Sequence, residues 1–168
     1  MFQSYFESIE NYLNIISLPV EGIGMDMAHG LHGNMTSIRK HGFPNDKVLG
    51  AGVIDGRGIW RADLNQKQHL LQELVSLVST DRLIIQSSCS LLHVPVSKET
   101  ESKLEEELLG ALAFADEKLD EIVLLTKAIP HADQVVRDSF NVADTALELL
   151  KSAKARNRYD VQGGKIRE

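Results

Sequence analysis

Seven polar residues carry most of the chemistry this chain could do: Asp26, His29, Asp55, Arg57, Arg61, Cys89 and His93. Each lies just beyond a short apolar segment, where a ligand would meet it. Cys89, His93, Asp26 and His29 have the donor types of a mixed zinc site with one open position. Cys89 with His93 has those of an activated thiol nucleophile. Against both stands the habit of free cysteine, which is usually buried and packs as a small hydrophobe. A Cys-x-x-x-His spacing on a strand-to-loop run does not by itself make the two side chains converge. Asp26, Asp55, Arg57 and Arg61 read best as an ion-pair and hydrogen-bond network, because charges in a partly buried ring must satisfy one another. Arg57 or Arg61 can instead clamp a substrate carboxylate in bidentate fashion. His29, His32 and His41 have no assigned role, and a solvent-facing loop position is the common case. The run Gly50-Ala51-Gly52-Val53-Ile54-Asp55 lacks the third glycine of a dinucleotide fingerprint and opens no helix, which argues against a phosphate cradle.

These residues need strands to position them. Three glycine-punctuated apolar segments, Leu18–Met27, Lys47–Asp55 and Arg82–Cys89, have the length and ending of buried parallel strands. Their starts are about 30 to 35 residues apart, the length of one βα unit with a right-handed crossover. Helical spacing fills the gaps. Leu70, Leu71, Leu74, Val75, Leu77 and Val78 mark a helix over Asn65–Ser79, with Asp63 at the N-cap. Asn34–Gly42 is a shorter helix stopped by Gly42 and Pro44, and Tyr5–Ile16 another. A long amphipathic helix over Glu101–Ile129 turns Leu104, Leu108, Leu112, Ala115, Leu119, Ile122 and Leu125 inward, and Pro130 ends or breaks it. A last helix spans roughly Asp133–Lys154. The predicted order is α-β-α-β-α-β-α-α. Three strands cannot close an eight-stranded barrel, which takes about 250 residues, so the sheet is either small and open or part of something larger. No internal repeat or low-complexity segment is present.

Composition narrows the functions. The chain has 168 residues, 43% of them hydrophobic and 25% charged, the profile of an ordinary globular domain. A net charge of −6 argues against a nucleic-acid or anionic-membrane partner. No apolar run approaches the roughly 20 residues of a membrane span, and Met1-Phe2-Gln3-Ser4 does not open a secretory signal. The single cysteine makes no internal disulfide, so a cytoplasmic setting is the default. The last 18 residues hold six Lys and Arg against two acidic residues, which fits a solvated helix end.

Three stretches carry a family resemblance: Leu18–Asp26, Val48–Asp63 (with Gly56-Arg57-Gly58-Ile59-Trp60-Arg61-Ala62-Asp63) and Ser87-Ser88-Cys89-Ser90-Leu91-Leu92-His93-Val94-Pro95. They resemble the cobalamin-independent methionine synthases. The resemblance implies a partial (β/α)8 TIM barrel: residues 1–130 as the last three βα units of an N-terminal barrel, and 131–168 as a helical extension with a basic tail. It also implies a reaction, methyl transfer from methyltetrahydrofolate polyglutamate to zinc-bound homocysteine, whose zinc and folate pocket lie mainly in a second barrel absent here. If the two barrels are duplicates, Cys89 sits where the second has its last zinc cysteine and Asp26 near its carboxylate ligand. Gln3–Glu7, which should supply His-x-Cys, contains neither. The expectation is therefore no metal and no cofactor in this chain, no activity alone, and a supporting part on the folate side of the cleft. An open sheet with Val20, Ile23, Val48, Val53 and Ile84 on its inner face should self-associate through its edges. Two rival readings stand: a stand-alone binding module using Asp26, Arg57, Arg61 and His93, and a thiol- or metal-dependent enzyme using Cys89.

Overall fold

The computed structural model describes residues 1–131 and 134–152. The basic tail falls outside them. Four parallel strands lie in the order β1 (Phe2–Gln3), β2 (Gly22–Asp26), β3 (Val48–Ile54) and β4 (Leu83–Ser87). Helices α1 (Tyr12–Ile16), α2 (Leu31–His41) and α3 (Leu64–Leu77) make the crossovers, and α4 (Glu106–Ala111), α5 (Ala115–His131) and α6 (Gln134–Ser152) follow β4. The parallel α/β architecture is the one the segment spacing predicts. The sheet has one strand more than expected, because two residues of β1 are too short to show any pattern. No helix of the described residues is long and apolar enough to cross a membrane.

The sheet's two faces differ from expectation. Ile23, Met25, Leu49, Ala51 and Val53 are fully buried in the core, together with Leu71 and Leu74 of α3 and Met35 and Ile38 of α2. By the two-residue period of a strand, the alternate positions on β2 and β3 are Gly22, Gly24 and Gly50. A side chain at Gly24 would run into the Gln3 carboxamide, and one at Gly50 into Met1 and Gln86. Gln86 Nε2 donates to Gln3 Oε1 across this glycine floor at 2.9 Å. Ile23 and Val53 therefore belong to the helix side of the sheet, whereas Val48 and Ile84, in register with Gly22 and Gly50, share the opposite face with Gln3 and Gln86. Ile84, on the edge strand, is 47% exposed.

Two helices depart from the expected pattern. The expected Tyr5–Ile16 helix survives only as α1, because Phe6 and Glu7 take left-handed φ values of 58° and 87°. The long Glu101–Ile129 helix is split into α4 and α5. Between them Ala113 N donates to the Ile59 carbonyl and Arg61 N to that of Ala111, drawing Leu112 into a bridge with Trp60. Glu117 then caps the restart by accepting from Phe114 N at 2.9 Å. As a result Leu104 and Leu119 are exposed instead of inward. Pro130 lies inside α5, which ends one residue later, so the break comes just after the proline. The other signals work as read: Asp63 accepts from Gln66 N at 2.9 Å, and Gly42 at φ +73° closes α2 in a conformation that favours glycine.

At the amino ends of the strands two cations stitch the loops. The buried Lys47 ammonium donates to the Leu18 and Val20 carbonyls at 2.9 Å each, and Arg82 to those of Pro44 and Lys47. In β/α folds this end serves stability and the opposite end carries chemistry.

Candidate functional site at the carboxyl ends of the strands

Asp26 ends β2 and is 1% exposed. Its Oδ1 accepts from the Ala28 and His29 N–H groups at 2.8 Å, and its Oδ2 from Glu7 N at 3.2 Å. Asn34 on α2 completes the clasp, donating to the Asp26 carbonyl at 2.8 Å and accepting from Ile9 N at 2.9 Å. These bonds hold the Phe6–Glu7 turn in its left-handed shape, a strain of about 1 kcal/mol or more per residue. Gly30 has to be a glycine, since a Cβ there would collide with the Glu7 backbone. The turn places the Phe6 ring under Arg57, whose Cζ lies 5.2 Å from the ring centroid.

Asp55 follows β3. Its Oδ1 accepts from Arg57 N at 2.9 Å and lies 2.9 Å from His29 Nε2, while Oδ2 accepts from Gly58 N at 3.2 Å. Burial pushes this carboxyl up, but the Arg57 N–H, the His29 bond and the His29 and Lys118 charges outweigh it and leave it below the usual range. The mouth of the sheet thus gathers Asp26, His29, Asp55 and Arg57. The bonds differ from the expected ones: both carboxylates are satisfied mainly by backbone N–H groups, and Arg57 rests on an aromatic face instead of a carboxylate.

The remaining expected residues lie apart from this group. Cys89 is 8% exposed, packed against Gly56, and its Sγ donates to the Ser90 carbonyl at 3.7 Å. Burial pushes its thiol up, reinforced by the Asp55 and Asp26 charges. A thiolate nucleophile needs the opposite environment. His93 is exposed on the single turn Leu91–His93 and makes no hydrogen bond to Cys89. The Arg61 side chain points away from the mouth and lines a cavity between the helices.

Two buried charged residues on α5 escaped the sequence reading. Lys118 is 1% exposed and donates to the Trp60 carbonyl at 3.1 Å. Glu121 is 5% exposed and accepts from Ala62 N at 3.0 Å. Burial lowers the Lys118 ammonium and pushes the Glu121 carboxyl up to about 7. The signal was present: Phe114, Lys118, Glu121, Leu125 and Ala128 follow helical spacing, so both charges sit in an apolar stripe.

Parallel strands joined by helical crossovers, with the polar groups collected at the strands' carboxyl ends, define an open β/α unit of the barrel class. Residues 1–79 match the family described as the cobalamin-independent synthase N-terminal domain. Over 160 residues the chain is 46% identical to the 5-methyltetrahydropteroyltriglutamate–homocysteine methyltransferase of Listeria innocua, covering 95% of this chain and 21% of that protein. With the protein of the same name from Bacillus cereus the identity is 45% over 166 residues, covering 98% and 22%. The resemblance to the cobalamin-independent methionine synthases holds along nearly the whole chain. The chain spans about a fifth of the length of the curated relatives it matches.

The residues at the mouth do not fit the zinc site that this family implies. Asp26 is engaged by three backbone N–H groups, no hydrogen bond or ion pair brings His29 or His93 to Cys89, and the Gln3–Glu7 segment offers neither histidine nor cysteine. Among the described residues no three His, Cys, Asp or Glu side chains are grouped so as to hold a metal.

Proposed function

We propose that this chain is a segment of a methionine synthase N-terminal barrel that supports the folate-facing side of the cleft and does not transfer methyl groups alone. The observation that carries this is how the mouth is built. Its two strand-end carboxylates are spent on holding loops, and the group left to meet a ligand is the Arg57 guanidinium, seated on Phe6 and exposed. A guanidinium in that position recognises carboxylates bidentately, which is the chemistry of a polyglutamate tail. The relatives' printed names supply the reaction, methyl transfer between a methyltetrahydropteroyl triglutamate and homocysteine. A cytosolic location goes with the lone unpaired cysteine.

Calorimetric titration with pteroyl triglutamate tests the assignment. The expected result is weak binding that falls about tenfold in Arg57→Gln, roughly the contribution of one charge-assisted pair. Equal affinity for pteroyl monoglutamate and triglutamate, or an unchanged affinity in Arg57→Gln, contradicts it.

A further inference from the structure

We propose that the cavity enclosed by the start of α3, by α5 and by α6 binds a small aliphatic zwitterion, its anionic end on Arg61 and its cationic end on Glu121 and Asp120. The cavity measures about 280 Å³, just below the range of about 300–1,000 Å³ for small-molecule sites. Its occupant must be small.

Two buried polar atoms beside the cavity lack partners among the described residues. Glu121 uses Oε1 to hold Ala62 N, but its Oε2 is buried and has no hydrogen-bond partner among the described residues. Arg61 Nε is buried and likewise unmatched among the described residues. Leaving such groups unpaired carries the full desolvation penalty of each. Opposite charges that share a cavity with a purely structural role close on each other to avoid that cost. Here both residues border the same cavity without forming an ion pair, the arrangement a ligand carrying both signs would bridge once their side chains turn toward it. Glu117 also borders the cavity, but Phe114 N, Lys98 N and the Ser97 hydroxyl already occupy its carboxylate. That leaves Asp120 and Glu121 for an ammonium and Arg61 for a carboxylate. Leu64, Leu124, Val142 and Ala143 form most of the wall between them, with Ser139 the one hydroxyl among the lining residues, which suits a largely hydrocarbon frame.

The test is calorimetry on the whole chain with the straight-chain amino acids from glycine to ε-aminocaproate, and with pentylamine and pentanoate as single-charge controls. At least one zwitterion is expected to bind about tenfold more tightly than either control. Glu121→Gln, which keeps the acceptor for Ala62 N, and Arg61→Gln should each erase that advantage while far-UV circular dichroism stays unchanged. In the unsubstituted protein, ligand-induced methyl shifts in NMR spectra should centre on Leu64, Leu124 and Val142, a readout that does not depend on either variant folding. Amine or acid binding as well as any zwitterion, no member binding, or shifts centred elsewhere overturns the proposal.

Discussion

Asp26 and Glu121 are both buried carboxyl groups, yet their surroundings treat them in opposite ways. Asp26 receives three backbone N–H groups and fixes the turn under Arg57. Its replacement by alanine strands those donors, and the expected loss is about 2–4 kcal/mol, read as a lower urea midpoint with an unchanged m-value. Glu121 receives one N–H, and burial raises it to about 7 despite Lys118, Arg61 and Lys98 nearby. The folded chain therefore holds a proton there that the unfolded chain releases near pH 4.3, the ordinary glutamate value being about that. Across the window from about 4.3 to about 7 the folded state binds more protons, so this group's contribution to stability falls as pH rises and levels off above it. Glu121→Gln should remove that slope and gain on the parent chain by about 1–3 kcal/mol between pH 4.5 and pH 8, measured by denaturant melts at each pH. Asp55 runs the other way: its lowered carboxyl stabilises the fold above the unfolded value, about 3.9, and that contribution is lost as pH falls through the folded value. Spacing in the sequence placed Asp26, His29, Asp55 and Arg57 at the strand ends, since strand ends are set by apolar runs. It could not show that backbone N–H groups, rather than arginines, would claim the carboxylates. That choice depends on loops whose shape comes from bonds across 19 to 26 residues.

At the scale of elements, local signals sufficed wherever they met no competing partner. Asp63 capped α3 through the Gln66 N–H, and Gly42 closed α2 while its carbonyl also accepts from the Tyr12 hydroxyl. The Glu101–Ile129 pattern failed because Leu112 and Ala113 pair with the Ile59–Arg61 strip, a contact invisible to helical periodicity. Glu117 is the hinge of that exchange, accepting from Phe114 N, Lys98 N and Ser97 Oγ. Glu117→Ala is expected to cost about 1–3 kcal/mol and to raise amide exchange over residues 97–114 before the sheet is affected. The outer edge of β4 is unpaired among the described residues and carries the exposed Ile84. We propose that it is the surface of self-association, as an open parallel edge would be. Light scattering should then show a species larger than a monomer, shifted toward monomer by Ile84→Lys. A monomer at all concentrations in the parent chain contradicts this. The glycine floor beneath Gln3 and Gln86 was misread from sequence because alternation in a glycine-rich strand leaves the inward face unmarked.

For the whole molecule, four parallel strands make half the complement of an eight-stranded barrel, and the chain is about a fifth the length of its relatives. The stitched amino ends and the polar groups gathered at the carboxyl ends follow the two-ended arrangement of such barrels. We propose that the mouth supports a cleft without supplying the reaction. The decisive assay is methionine formation by the purified chain from homocysteine and methyltetrahydropteroyl triglutamate, with zinc added. No product above the protein-free control is expected. Zinc-dependent product that disappears in Cys89→Ser would contradict it.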